Sequence, residues 1–112
     1  MQRPVQISSR NFPLTEVMRA TIQQRVDDLE HYFGRLTGCH VVVEASVHHH
    51  RRGGPFNVRI DLRTPGAELS VNKQDADDLA VAIREAFDSA RRRLEDQLRE
   101  LRHDVKTHAP RG

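Results

Sequence analysis

The sequence predicts an α+β domain in the element order β-α-β-β-β-α: a four-stranded mixed sheet with two helices packed on one face. Three patterns lead there. Two long segments repeat apolar residues every three or four positions, as an amphipathic helix requires. Four shorter segments alternate apolar and polar residues, as strands with one buried face do. Glycine and proline breaks separate the later strands as in hairpins, whereas a helix lies between the first two strands and makes them a parallel pair with a right-handed crossover.

PVQIS puts Val5 and Ile7 on one face of a short strand and Gln6 and Ser8 on the other. In PLTEVMRATIQQRVDDLEHYF, Met18, Ile22, Val26, Leu29 and Phe33 form the apolar stripe of the first helix. Thr15 is its expected N-cap, Glu16 faces the positive helix end, and Gly34 and Gly38 bracket the stop. CHVVVEASVH sets Val41, Val43, Ala45 and Val47 against Val42, Glu44, Ser46 and His48, and its β-branched valines suit a strand. FNVRIDLR turns Phe56, Val58, Ile60 and Leu62 inward, with Asn57, Arg59, Asp61 and Arg63 outward. TPGA supplies a turn, and ELSVN returns with Leu69 and Val71 inward. From Asp75 the period lengthens again, and Leu79, Ile83, Phe87, Ala90, Leu94, Leu98, Leu101 and Val105 mark a second helix of about seven turns. Residues 1–106 read as one domain and 107–112 as a polar tail, with the start of a linker to a further module as one reading.

The 112 residues suffice for one modest core, and only 4% aromatic content makes that core aliphatic. No signal-peptide h-region is present, and no run approaches the roughly 18 apolar residues of a membrane span, so a cytoplasmic location without membrane contact is expected. The single cysteine, Cys39, has no intrachain partner, which fits a reducing compartment. Eighteen basic against 16 acidic side chains leave a net charge of +2, so any nucleic-acid footprint must arise by clustering. Residues 1–74 hold ten basic and seven acidic groups, the remainder eight and nine.

HHHRRGGP, between the second and third strands, raises three readings. Imidazoles are good zinc or nickel ligands, but His48, His49 and His50 alternate about the strand end, and no second cysteine or HExxH spacing completes a site. The histidines otherwise either edge a solvated loop or join Arg51 and Arg52 in contacting nucleic acid, where Gly53 and Gly54 form the turn and permit close approach to a backbone. Arg59 and Arg63 read as sheet-surface charges before they read as part of a phosphate-binding surface. Arg92 lies opposite the second helix's apolar stripe with Arg91 and Arg93 flanking it; intrahelical pairing with Asp88, Asp96 and, for Arg99, Glu95 competes with external contact. Arg10 and Asn11 follow the first strand, where Asn11 either touches RNA or fixes a turn by a side-chain hydrogen bond.

Catalytic signatures are weak. No Ser-His-Asp spacing or phosphate-cradling glycine loop is present. Asp75, Asp77 and Asp78 read as favourable charge at a helix N-terminus before they read as magnesium ligands, and Cys39 as structural before redox-active. No enzyme activity, cofactor, metal or small-molecule substrate is expected.

The RNF-x-x-T segment (Arg10 to Thr15), LEHYFGRL at the end of the first helix, and PGAEL in the last hairpin occur together with VRIDLR and the late helix AIREAFDSARRRLEDQL. In this combination, from Val5 to roughly Arg102, the chain resembles the ribosome hibernation promoting factor and ribosome-associated translation inhibitor family, the sigma-54 modulation proteins. The resemblance implies a fold similar to double-stranded RNA-binding domains. It also implies a non-catalytic, cytoplasmic bacterial protein that occupies the mRNA and tRNA channel of the small ribosomal subunit, near the decoding centre of 16S rRNA, and inhibits translation in dormancy or stress. The residues expected to bind RNA are Arg10, Asn11, His49, Arg51, Arg52, Arg59, Arg63, Arg84, Arg91, Arg92, Arg93 and Arg99, of which those at the first turn, the His-rich hairpin and the second helix match the family's basic RNA surface. The chain departs from relatives in having Ser9 before the RNF segment, Ala80 early in the second helix and the acidic EDQLRE after Leu94. The alternative from another class is a module that self-associates through a sheet edge or the long C-terminal helix without RNA.

Overall fold

The computed structural model describes residues 5–45 and 55–108, with side chains through residue 100 except at 75. Its elements are β1 (Gln6–Arg10), α1 (Glu16–Phe33), β2 (Gly38–Ala45), β3 (Phe56–Thr64), β4 (Ala67–Ala76) and α2 (Leu79–His108), in the expected order. The sheet order is β1-β2-β3-β4, with β1 parallel to β2 and the other two pairings antiparallel.

Registry places the apolar residues in rows. Ile7 pairs with Val41, Val41 with Ile60 and Ile60 with Val71, so one apolar row crosses all four strands. Cys39, Leu62 and Leu69 make a neighbouring row. Both helices cover this face: Ile22, Val26 and Leu29 of α1 and Ala82, Ile83, Ala86, Phe87, Ala90 and Leu94 of α2 join the strand residues in one buried cluster. Burial is driven by this apolar surface leaving water, at roughly 25 cal/mol per Å².

The helix ends follow local chemistry. Thr15 accepts a hydrogen bond from the Met18 amide at 3.1 Å, and Gly34 closes α1 in the left-handed region at φ 67°, its amide donating to the Glu30 carbonyl at 2.7 Å. The start of α2 corrects the sequence reading. β4 continues to Ala76, which still faces Phe56 across a bulge, so the helix opens at Leu79 and not near Asp75. Asp78 is the cap: its carboxylate accepts from the Ala80 amide at 2.9 Å and the Val81 amide at 3.3 Å. Asp75 still belongs to β4, which pairs with β3 as far as Ala76, and Asp77 lies between β4 and α2.

Both sheet edges are blunted by arginines from the helices. Arg19 of α1 donates to the Ile7 carbonyl of β1 at 3.2 Å, and Arg93 of α2 donates to the Ser70 carbonyl of β4 at 3.1 Å. Charge at an edge opposes addition of a further strand. Lys73 reaches Glu85 at 2.9 Å and ties β4 to α2.

Candidate nucleic-acid interface

The outward face of the sheet is polar apart from Val42. Gln6, His40, Asp61 and Ser70 form one cross-strand row, Ser8, Val42, Arg59 and Asn72 the next, and Arg10, Glu44 and Asn57 a third. Its charges answer one another. Asp61 accepts from the Ser70 hydroxyl at 2.7 Å and from Arg59 Nε at 3.1 Å, while Arg63 Nε lies 3.6 Å from Glu68. Partial burial pushes the Asp61 carboxyl up, but the hydrogen bonds from Ser70 and Arg59 and the nearby Arg59 and His40 outweigh it and hold Asp61 below the usual carboxylate range. The Ser8 hydroxyl lies 3.2 Å from His40 Nε2.

The structure places the other site residues in separate regions. Arg10 ends β1 on the third row, exposed and in register with Glu44 of β2. Asn11 follows at φ 69°, a region asparagine tolerates better than most residues, and its side-chain amide donates to the Ala45 carbonyl at 3.1 Å. That bond locks the RNF turn to the end of β2, so the turn-fixing reading of Asn11 describes its observed contact. Phe12 packs edge-on against Phe56 with ring centroids 5.4 Å apart, anchoring the same turn. His49, Arg51 and Arg52, with the rest of the HHHRRGGP motif, lie outside the described residues.

Along α2 the arginines divide by direction. Arg93 turns to the β4 edge. Arg91 turns to α1, with its guanidinium carbon 4.5 Å from the Tyr32 ring centroid and Nε 3.4 Å from Glu95. Tyr32 foremost, and Glu95 after it, raise the Arg91 guanidinium above its ordinary pKa. Arg99 pairs with Asp96, three residues before it, and not with the Glu95 expected from sequence. Among the described residues, Arg92 reaches only the Ser89 hydroxyl, at 3.5 Å, and pairs with neither Asp88 nor Asp96. Arg84 is exposed and makes no ion pair with a described residue. From Arg84 to Arg99 the helix rises about 22 Å at 1.5 Å per residue, so these charges form a track and not a point.

Sequence reasoning missed a cleft between the helices, about 170 Å³, where Arg25, Leu29 and Tyr32 of α1 meet Phe87, Asp88 and Arg91 of α2. The signal was available: Arg25, Leu29 and Tyr32 stand four and three residues apart and so share one helix face. Cys39 is buried and its thiol is pushed up to about 12, chiefly by burial and then by Asp61, so it is held as the unreactive thiol. Among the described residues, no three His, Cys, Asp or Glu side chains are grouped to hold a metal ion, and no helix is long and apolar enough to cross a membrane.

The family model described as sigma 54 modulation protein / S30EA ribosomal protein matches residues 5–102. The chain belongs to this family. Its fold is similar to that of the Thermus thermophilus Protein Y N-terminal domain, with a TM-score of 0.67 and 23% identity over 81% of this chain and 93% of that one. It is also similar to a ribosomal subunit interface protein from Coxiella burnetii, with a TM-score of 0.62 and 13% identity over 88% and 97% of the two chains. At these identities the likeness establishes the fold. No curated protein sequence matches the chain.

Proposed function

We propose that this chain binds the small ribosomal subunit, occupies the mRNA and tRNA channel near the decoding centre through contacts to 16S rRNA, and thereby inhibits translation during dormancy or stress. The observation that carries this reading is family membership across residues 5–102, nearly the whole domain. The Coxiella burnetii relative, a ribosomal subunit interface protein, supports the same partner. In this reading no bond is made or broken: the protein acts by occupancy, in the bacterial cytoplasm, with residues 1–106 as the ribosome-binding domain.

The chemistry of binding follows from the arginines. Structured RNA presents phosphate and 2′-hydroxyl groups in a fixed shape, and guanidinium groups neutralise the phosphates and release counterions. Arg84 and Arg92, the least engaged of the described α2 arginines, are the principal phosphate contacts, with Arg10 at the end of β1; Arg51 and Arg52, outside the described residues, join them in this reading. Arg59 and Arg63 contribute less, because each already faces a carboxylate. Self-association through a sheet edge is disfavoured by the arginines seated on both edge strands.

Co-sedimentation with purified small subunits at increasing salt tests the proposal. Association that weakens steeply with salt is expected. Absence of association at low salt, with the protein folded by circular dichroism, would remove it.

A further inference from the structure

The cleft between α1 and α2 is too small for a drug-sized ligand, which needs about 300 Å³ or more, but its roughly 170 Å³ suits one planar ring system. Its floor is apolar, with Leu29 and Phe87 both buried. Its wall is a layered platform. Tyr32 is 58% exposed, and the Arg91 guanidinium lies over its ring while Glu95 holds the other side of that group. The Arg91 side chain remains 54% exposed, so a guanidinium fixed at two places still presents surface to solvent. Unpaired RNA bases stack on arginine planes and aromatic rings.

The polar groups around the cleft select among bases. Asp88 makes no hydrogen bond or ion pair with a described residue, whereas the Asp28 carboxylate already accepts from Gln24 at 3.0 Å. A carboxylate only accepts, with two oxygens side by side. Guanine is the one common RNA base whose Watson–Crick edge offers two adjacent donors; adenine and cytosine offer a single amino group there. Arg25, across the cleft, supplies positive charge for the attached phosphate.

We infer that this cleft is a base-reading site that takes one unstacked guanine nucleotide, laid against the Arg91 and Tyr32 platform with its Watson–Crick edge on Asp88. The site deepens the ribosome-binding reading, because it gives a domain that otherwise grips phosphate a means of recognising one exposed nucleotide.

Tyr32 is the chain's only tyrosine, so its ring resonances are unambiguous in an NMR titration of the full chain with GMP, AMP, CMP or UMP. GMP is expected to give saturable upfield shifts of the Tyr32 ring, with the other nucleotides binding about tenfold more weakly, the scale of a hydrogen bond to a charged acceptor. Arg91→Lys keeps the charge and removes the plane, and is expected to weaken GMP binding about tenfold. Asp88→Asn should abolish the preference for guanine while leaving residual stacking. Equal, non-saturating shifts with all four nucleotides would overturn the inference, as would saturation by a basic peptide in place of GMP, which would reassign the cleft to a protein partner. Free nucleotides are the probe, so the two proposals separate: a chain that sediments with small subunits but leaves Tyr32 unmoved keeps its proposed function and loses the base site.

Discussion

On the outward face of the sheet, Arg59 sits on Asp61 and Arg63 lies beside Glu68, so each guanidinium is already answered by a carboxylate two to five residues away in sequence. On α2, among the described residues, Arg92 touches only a serine hydroxyl and Arg84 makes no ion pair. Both surfaces look alike in a charge count, and they differ in how much charge remains for a partner. Exposed pairs contribute little to stability, a median of about 0–1 kcal/mol, but they set a cost for any phosphate that must compete with the resident carboxylate. The sheet surface is therefore suited to weak contact and the helix surface to phosphate neutralisation.

Both surfaces stand on the same apolar plate, and removing part of that plate has the largest expected effect. Ile60, fully buried in the row that crosses the sheet, should cost about 2–5 kcal/mol when changed to alanine, measured by urea unfolding, with both surfaces lost together. Next comes the helix side: the double change Arg84→Ala and Arg92→Ala should weaken small-subunit binding about 100-fold, from two charged contacts of about 1.5 kcal/mol each, with circular dichroism unchanged. The matching change on the sheet, Arg59→Ala with Arg63→Ala, should cost less than about threefold in the same assay, within the range of a surface ion pair. If the sheet variant loses as much binding as the helix variant, the distinction between answered and available charge is wrong.

The smallest effect concerns Asp61. Its folded-state pKa lies below the ordinary value near 3.9, so its stabilising contribution is present above that value and is lost as pH falls through the folded pKa. Asp61→Asn should therefore lower stability by under about 1 kcal/mol at neutral pH, because the side chain is 37% exposed and screened, and the difference from wild type should vanish in acid. A difference that grows on acidification would contradict the hydrogen-bond assignment.

Periodicity made the elements legible. Alternation placed Phe56, Val58, Ile60 and Leu62 inward, and all four are buried. The Thr15 cap and the Gly34 stop were equally readable, because caps depend on residues adjacent in sequence. The junction before α2 was not: three aspartates within four positions look like a helix start, while the continued pairing of β4 with β3 is a tertiary fact that overrides them. Site residues followed the same division. The spacing of Arg91, Arg92 and Arg93 showed that two of them flank the apolar stripe, but only the folded chain shows Tyr32 beside one and the Ser70 carbonyl beside another. Asn11 left two readings open in sequence, and its bond to Ala45 spans 34 residues, beyond the reach of local pattern.

The most direct test of the account is the salt dependence of small-subunit binding for wild type and for the Arg84→Ala, Arg92→Ala variant. The wild-type association constant should fall steeply with salt, and the variant's logarithmic slope should be shallower by about two, one for each phosphate contact removed. Identical slopes for the two proteins would show that these arginines do not meet phosphate and would contradict the account.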